Sequence, residues 1–283
     1  MKLVIFIFSC IASTYLYAAN PVWQISKNDK SLFLAGAIHV LRTIDLPLPK
    51  AFNQAYKKSD VLVFESDIGK LDNPSIVSNY FDKFFYHNHL SLKEKLSENT
   101  YYKLKNNLAV YGINLDALNK LKPGMFTATV TVQILQQFGV SEKGVDFIFW
   151  HKAVEDNKKT LYLESIEQHL SVIANIGLDN TEQFMLIFLK ELRKNILNEY
   201  QELVNAWRNA DMKKLNDYII VPTKEQGLYE SLVLKRNQDW LKQIVAMLQT
   251  QETEMVIVGM GHLIGKDGLL QMLQARGFNI KQQ

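Results

Sequence analysis

The pattern of apolar and polar positions predicts short strands near both ends of the chain. Val22–Ser26 and Ser31–Ala35 are rich in β-forming residues and are separated by four polar residues, which predicts a hairpin. Val61–Phe64 is continuously apolar, as expected for a strand that is buried on both faces. Glu254–Val258 has a similar character, and Phe278–Ile280 predicts a last strand.

Most of the remaining chain shows apolar residues at helical spacing, with breaks at glycine or proline. One further strand is predicted over Thr160–Leu163. We therefore predict an α/β fold with a central mixed sheet formed by the N- and C-terminal segments and a helical middle insertion or cap at roughly 75–250. The predicted helices cover Ala51–Lys58, Leu92–Leu108, Leu115–Leu121, Phe126–Phe138, Val145–Val154, Thr181–Ala210, Glu225–Leu248 and Asp267–Arg276.

The first residues have the pattern of an export signal. One lysine precedes an apolar run over Leu3–Ile11, and the segment ends in the small residues Ala18 and Ala19. We expect residues 1–18 to be a signal peptide and residues 19–283 to form a single periplasmic or secreted domain. A retained N-terminal anchor is the alternative, but the apolar run is too short for a good membrane span, and no other segment reaches the roughly 18 apolar residues that a span needs. We therefore expect no stable membrane span after signal removal.

Composition and charge limit the chemistry that the chain can carry. Its 32 basic and 29 acidic residues give a net charge of +3, and no long run of one sign suggests a nucleic-acid partner. The single cysteine, Cys10, falls within the predicted signal. The mature chain would then hold no disulfide, thiol nucleophile or thiolate metal site. A bound metal would have to use histidine and carboxylate ligands.

Two Gly-x-x-His sequences follow predicted strands. Gly36 and His39 frame the first, and Gly259 and His262 frame the second. Glu65 follows a third strand in the same way. Because strand ends that are distant in sequence meet at one edge of an α/β sheet, we expect the two histidines and the glutamate to converge. Imidazole and carboxylate groups in this arrangement could hold a divalent ion and leave coordination positions open.

A nucleotide-binding turn is the rival interpretation of the second motif. Gly259, Gly261 and Gly265 lie between a predicted strand and a predicted helix, as a glycine-rich phosphate turn requires. His262, however, stands where the backbone of such a turn usually approaches a pyrophosphate closely. Dinucleotide binding is therefore the weaker interpretation.

The residues around both motifs resemble the TraB/GumN family, which includes the Tiki proteins. The N-terminal resemblance runs from Trp23 to Glu65, and the C-terminal one covers Val256–Gly277. Two positions depart from the family pattern, because Ala37 replaces a usual threonine and Gly124 stands where an aromatic residue is common. Weaker landmarks between the two ends are Gly144-Val145-Asp146, Leu163-Glu164-Ser165, Glu167-Gln168, Arg236-Asn237 and Trp240.

The resemblance implies an α/β fold similar to erythromycin esterase and the haem-binding ChaN proteins. It also implies a site for a divalent metal ion that uses His39, Glu65 and His262 as ligands. Manganese or cobalt is the expected ion, and zinc is the alternative. Tiki proteins trim the N-terminus of a secreted signalling protein, and TraB proteins reduce peptide pheromone activity. We therefore expect an exported metal-dependent hydrolase, a peptidase-like enzyme whose substrate is a peptide or a small amide or ester.

Further residues have expected roles around this site. Glu65 would be a ligand or the general base that takes a proton from water. Arg236 and Asn237, expected at the exposed end of a helix, could hold a substrate carboxylate or stabilise an oxyanion. Glu164 follows a strand and is a candidate extra or supporting ligand, whereas Asp146 is interpreted as a structural hydrogen-bond partner. Four other histidines are expected to face solvent: His87, His89, His151 and His169.

Two alternative functions assume the same fold but no catalytic activity. In the first, the protein binds and sequesters a peptide or a haem-like ligand, with His39 or His262 as an axial ligand. In the second, the fold serves as an interaction module.

Overall fold

The computed structural model of the protein describes residues 20–72, 78, 80–141 and 143–283. The predicted signal peptide, residues 1–18, lies outside the described residues. Within the described ranges, no helix has the length and apolar character needed to cross a membrane.

A mixed sheet of six strands forms the centre of the molecule. The strands of the described chain are β1 (Val22–Lys27), β2 (Lys30–Ala37), β3 (Leu41–Arg42), β4 (Val61–Phe64), β5 (Val140–Ser141), β6 (Lys159–Tyr162), β7 (Glu254–Gly259) and β8 (Asn279–Gln282). The sheet order is β6-β4-β7-β2-β1-β8, and β3 pairs with β5 in a separate ribbon. The first four strands of this order run parallel, whereas β1 and β8 pair antiparallel. The predicted mixed α/β fold with a central mixed sheet is confirmed.

Helices occupy most of the remaining described chain, including the long segment between β4 and β7. Two π-helical turns, Asn216–Ile220 and Glu230–Leu234, interrupt this series. The α-helices are α1 (Lys50–Lys58), α2 (Leu92–Lys95), α3 (Glu98–Ala109), α4 (Leu115–Leu118), α5 (Pro123–Gln136), α6 (Val145–Glu155), α7 (Ile166–Asn175), α8 (Thr181–Glu191), α9 (Ile196–Arg208), α10 (Met212–Leu215), α11 (Val221–Glu225), α12 (Lys235–Met247), α13 (Met260–Leu263) and α14 (Leu269–Gln274).

Local breaks divide stretches that were predicted as continuous helices. Thr181–Ala210 forms α8 and α9, because the Asn195 side chain accepts a hydrogen bond from a backbone N–H of the next turn (3.1 Å) and starts a new helix. Ser97 caps α3 in the same way and separates it from α2. Within Glu225–Leu248, Gly227 has a φ of 71°, and this left-handed conformation ends α11.

The core holds the parallel strands in fixed positions. The side chains of β4 and β7 are buried along their whole length, as expected for strands covered on both faces. On one face, Phe52 of α1 packs against Phe149 of α6 and Trp207 of α9, with ring centroids 5.9 and 5.8 Å apart. The Trp207 indole N–H also donates to the backbone carbonyl of Gly36 (2.7 Å), so this packing anchors the end of β2.

Candidate functional site

Four polar side chains follow the carboxyl ends of the four parallel strands. His39 comes two residues after β2, Glu65 one residue after β4, Glu164 two residues after β6 and His262 three residues after β7. Backbone bonding continues beyond the strands, since the Glu164 N–H donates to the carbonyl oxygen of Glu65 (2.9 Å). The structure thus brings these four predicted residues to one edge of the sheet, where α/β proteins commonly place their sites.

Glu65 has a buried carboxylate with a partner on each oxygen. Oε1 accepts a hydrogen bond from the Gly259 N–H (2.6 Å), and Oε2 accepts one from Nη2 of Arg236 (2.7 Å). Burial alone would raise the pKa of this carboxyl group, but the positive charges of Arg236 and His39 outweigh burial and lower the pKa below its usual range. Glu65 is therefore a carboxylate at neutral pH.

His39 is oriented by an acidic side chain from α6. Its Nδ1 lies 3.0 Å from Oδ2 of Asp146, whose negative charge raises the pKa of His39 to about 9. Gly144 makes this pairing possible, because a Cβ at that position would lie only 2.2 Å from the backbone carbonyl carbon of His39. The imidazole is 55% exposed, and its Nε2 faces Gly259. Asp146 was expected to be a structural hydrogen-bond partner, and in the structure its partner is the candidate ligand His39.

His262 is buried against the side chains of α12. Its Nδ1 lies 2.7 Å from Oδ1 of Asn237, its Nε2 lies 3.0 Å from Nη1 of Arg236, and its ring centroid is 4.4 Å from that of Trp240. Because the arginine nitrogen can only donate, we assign the proton to Nδ1 and the lone pair to Nε2. Burial lowers the pKa of His262 to about 4, so the imidazole is neutral.

Asn237 does not lie at the exposed end of a helix, and this expectation was wrong. Its side chain is completely buried. Nδ2 donates to the carbonyl oxygens of His262 (3.0 Å) and Asp267 (2.9 Å), while Oδ1 accepts from the histidine ring. The π-helical turn Glu230–Leu234 runs directly into α12, so the helical path begins earlier and Asn237 faces the interior. The residue positions the turn that carries His262.

Arg236 was also expected on the helix surface, but its side chain is only 12% exposed. Its guanidinium binds Glu164 through two hydrogen bonds, from Nε to Oε2 (3.1 Å) and from Nη2 to Oε1 (2.7 Å). The same Nη2 donates to Glu65, and the group stacks 4.5 Å from the ring centroid of Trp240. Arg236 therefore joins three strand ends, since it also contacts His262.

His169 belongs to the site, although its helical position predicted a solvent-facing side chain. Its Nδ1 lies 2.8 Å from Oε1 of Glu164, and the side chain is only 26% exposed. Ser165 and Gln168 form a capping box that starts α7 directly after the strand-end glutamate. The first helical turn therefore returns His169 to the sheet edge. A histidine in the first turn of the helix that follows a strand-end glutamate was the sequence signal that could have identified it.

Among the described residues, one set of donors at this edge lies close enough together to hold a divalent ion, and it differs from the predicted set. One atom each from Glu65, Glu164 and His169 lie within 4.8 Å of one another. Of the predicted set, His39 and Glu65 direct donor atoms at Gly259, where an added Cβ would lie 3.0 Å from Nε2 of His39 and 3.2 Å from Oε1 of Glu65, whereas His262 presents its Cδ2 carbon there at 3.7 Å. The missing side chain therefore leaves a small space between the donor atoms of His39 and Glu65. Nitrogen and oxygen donors of these types suit zinc, manganese and cobalt, so the residues fit a divalent ion.

An open cleft of about 770 Å³ adjoins this edge. His39, Asp146 and His169 contribute to its wall near the site, and Phe147 and Trp150 add an aromatic surface. The volume falls within the range of about 300–1,000 Å³ that is typical of small-ligand pockets. His151 also lines the cleft, whereas His87 and His89 are exposed elsewhere, as expected.

The protein is thus an α/β protein whose candidate site lies at the carboxyl edge of a central mixed sheet and consists of histidines, glutamates and an arginine. The sequence model of the TraB/PrgY/gumN family matches residues 21–282, and the chain belongs to this family. The predicted membership of the TraB/GumN family is therefore confirmed.

Two relatives match most of the chain. YbaP of Escherichia coli strain K12 is 24% identical over 87% of this chain and 89% of its own length. YbaP of Shigella flexneri is 24% identical over 85% of this chain and 87% of its own length. Both relatives are described as uncharacterized proteins. No solved structure gives a significant match.

Proposed function

We propose that the protein is an exported metal-dependent hydrolase that cleaves an amide or ester bond, with peptides as its main substrate class. The observation that carries the proposal is that Nε2 of His39 and Oε1 of Glu65 both face the side-chain-free position of Gly259, while Nε2 of His262 lies 3.9 Å from the same oxygen of Glu65. Three residues from three separate strand ends meet there in a partly enclosed position.

A divalent ion bound by His39, Glu65 and His262 would supply Lewis-acid activation of water and of the carbonyl group. Asp146 holds His39 through Nδ1 and leaves Nε2 directed towards the site, as carboxylate partners of ligand histidines do. Asn237 performs the corresponding task for His262. Glu65 remains ionised, and it would serve as a ligand or as the base that accepts a proton from water.

Arg236 and Glu164 support the same chemistry next to these residues. The guanidinium lies within hydrogen-bonding distance of Glu65 and Glu164, so the two carboxylates are not left as uncompensated buried charges. An arginine at this position can also stabilise negative charge that develops on a substrate oxygen. Glu164 orients that arginine through a two-point contact.

The cleft next to His39 supports a peptide as substrate. Phe147 and Trp150 provide an apolar wall on which a side chain of the substrate can pack. Lys143 also lines the cleft and offers a positive charge to a substrate carboxylate. A peptide that lies along this wall would bring a backbone carbonyl to the side of the cleft formed by His39 and His169.

Two further elements of the proposal concern architecture and location. We propose a detailed fold similar to erythromycin esterase and the ChaN proteins, supported by membership of the family. We also propose export to the periplasm or the exterior, with residues 1–18 as the signal. The apolar run after a lysine near the N-terminus supports this location.

Peptide hydrolysis by the purified protein tests the proposed function. We expect cleavage of a mixed peptide library in the presence of manganese or cobalt and loss of cleavage with a chelator. His39→Ala and Glu65→Gln should abolish the activity, whereas His87→Ala, which changes an exposed histidine, should keep it. Cleavage that persists with the chelator or in both site variants would contradict the proposal.

A binding protein without catalysis is the second candidate. It is favoured by the exposure of His39 beside an aromatic cleft, because an accessible imidazole can act as an axial haem ligand. Reconstitution with haem would then give a visible absorption band that His39→Ala removes. Peptide hydrolysis that depends on Glu65 would exclude this candidate.

A further inference from the structure

One guanidinium makes contact with most of the candidate ligands. Nη2 of Arg236 lies 2.7 Å from Oε2 of Glu65, 2.7 Å from Oε1 of Glu164 and 3.4 Å from Nδ1 of His169. Nη1 lies 3.0 Å from Nε2 of His262. The arginine therefore donates to Glu65, Glu164 and His262 where these three side chains converge. It does not donate to His169, because Nδ1 of His169 faces a carboxylate oxygen of Glu164 and carries a proton.

The two carboxylates need such a cation. The side chains of Glu65 and Glu164 are only 10% and 8% exposed, and removing the partner of a buried charge is strongly unfavourable. Arginine remains protonated at any pH at which proteins fold, and its planar fork matches paired carboxylate oxygens. Arg236 thus stabilises both carboxylates through its own positive charge.

The contact with His262 makes this arginine a competitor of a metal ion. A neutral imidazole has one lone pair, which lies on Nε2 when Nδ1 donates to Asn237. That lone pair cannot accept from Arg236 and bind an ion at the same time. The guanidinium must therefore release His262 before this histidine becomes a ligand.

We propose that Arg236 is a displaceable internal cation. It occupies the donors in the metal-free protein and leaves Glu65 and His262 when a divalent ion binds. This inference rests on the proposed function and adds a regulatory step to metal loading. The two-point contact with Glu164 and the face of Trp240 keep the released guanidinium at the edge of the site. There it can bind negative charge on a substrate.

Manganese binding to arginine variants tests the inference. Isothermal titration of the metal-free protein should show that Arg236→Gln binds Mn²⁺ roughly tenfold more tightly than the wild type, because no guanidinium competes for the donors. Arg236→Lys should lie between them, since one ammonium group cannot reach all the donors. Arg276→Gln changes an exposed arginine and should match the wild type. The melting temperature of Arg236→Gln should fall without metal and rise further on addition of Mn²⁺ than that of the wild type.

The outcomes separate this inference from the proposed function. Equal or weaker Mn²⁺ binding by Arg236→Gln, or none, would overturn the inference, and a wild type that still binds Mn²⁺ would leave the proposed function standing. Binding by Arg236→Gln alone would show that the ion does not displace the guanidinium in the wild type, and it would overturn both the inference and the metal-dependent activity of the wild type. If Arg236→Gln fails to fold without metal, the affinity of Arg236→Lys decides, and an affinity no higher than that of the wild type would overturn the inference.

Discussion

The two Gly-x-x-His turns share a sequence pattern and lie in opposite environments. The His39 imidazole is 55% exposed and faces the carboxylate of Asp146, whose charge raises its pKa to about 9. The His262 imidazole is 8% exposed and faces the amide of Asn237, and burial lowers its pKa to about 4. The motif places a histidine after a strand, but a distant helix decides whether the histidine carries a proton.

This difference suggests separate tasks for the two turns. His262 is packed on Trp240 and fixed by two hydrogen bonds, so it provides a rigid neutral donor. His39 lines the cleft and has room to adjust when a ligand enters. Changing the hydrogen-bond partner of His262, or removing His262, should therefore lower the free energy of unfolding more than the same changes at His39.

The largest effect is expected for Asn237→Asp, which gives His262 the kind of partner that His39 has. The new carboxylate oxygen would face the carbonyl oxygens of His262 and Asp267, which now accept hydrogen bonds from the amide. We expect the free energy of unfolding to fall by about 2–4 kcal/mol, measured by urea denaturation. Asn209→Asp is the exposed control and should change it little. A loss below about 0.5 kcal/mol for Asn237→Asp would show that the partner residue does not determine the environment of His262.

Removal of each histidine should give unequal stabilities. His262→Ala should lower the free energy of unfolding by about 2–3 kcal/mol, because it leaves a cavity beside Trp240 and an unpaired amide oxygen on Asn237. His39→Ala should cost less than about 1 kcal/mol, since the imidazole is largely exposed. Denaturant unfolding of both metal-free variants measures the contrast. Equal losses would refute the distinction between a rigid and an adjustable turn.

A third comparison tests the charge of His39. Asp146→Asn should lower the pKa of His39 from about 9 towards 6.5 in metal-free protein, which NMR titration of the imidazole can follow. The stabilisation by the raised pKa is present in full below pH 6.5 and is lost as the pH rises through about 9. The variant should lose this pH dependence. An unchanged titration would mean that Asp146 does not set the protonation of His39.

The smallest effect is expected for the cleft wall beside His39. Phe147→Ala should raise KM roughly threefold to tenfold for peptides with a large apolar side chain and leave kcat unchanged, because it removes contact area from the bound state and the transition state alike. Steady-state kinetics with matched aromatic and alanine peptides measure the difference. Phe138→Ala, at a residue 40% exposed, is the control. An equal change for both peptides would argue against a specificity role for the wall.

Local sequence patterns were sufficient to predict the sheet and part of the site. Val61–Phe64 was predicted as a strand with the same bounds that the structure shows, because a short apolar run between polar residues specifies a buried strand. Glu65 and the two motif histidines follow directly from such strand ends. Their shared position at one sheet edge could also be predicted, because the carboxyl ends of strands that are distant in sequence meet at one edge of an α/β sheet.

Residues that depend on packing between elements could not be placed in this way. Asn237 appears polar and suited to a surface, but the helix that carries it is docked against the turn of His262. His169 lies in a helix whose start is set by the Ser165 cap, so its direction follows from that cap and not from helical periodicity. The same limit explains the missed helix break at Asn195, where a side-chain cap overrides a continuous apolar pattern.

Equilibrium binding of Mn²⁺ to the wild type and to Gly259→Ala tests the metal site most directly. The wild type should bind an ion through His39, Glu65 and His262. The added methyl group would lie 3.0 Å from Nε2 of His39 and 3.2 Å from Oε1 of Glu65, so Gly259→Ala should weaken binding by roughly tenfold or more while keeping the fold. Equal binding by both proteins, or no binding by the wild type, would contradict the proposed metal site.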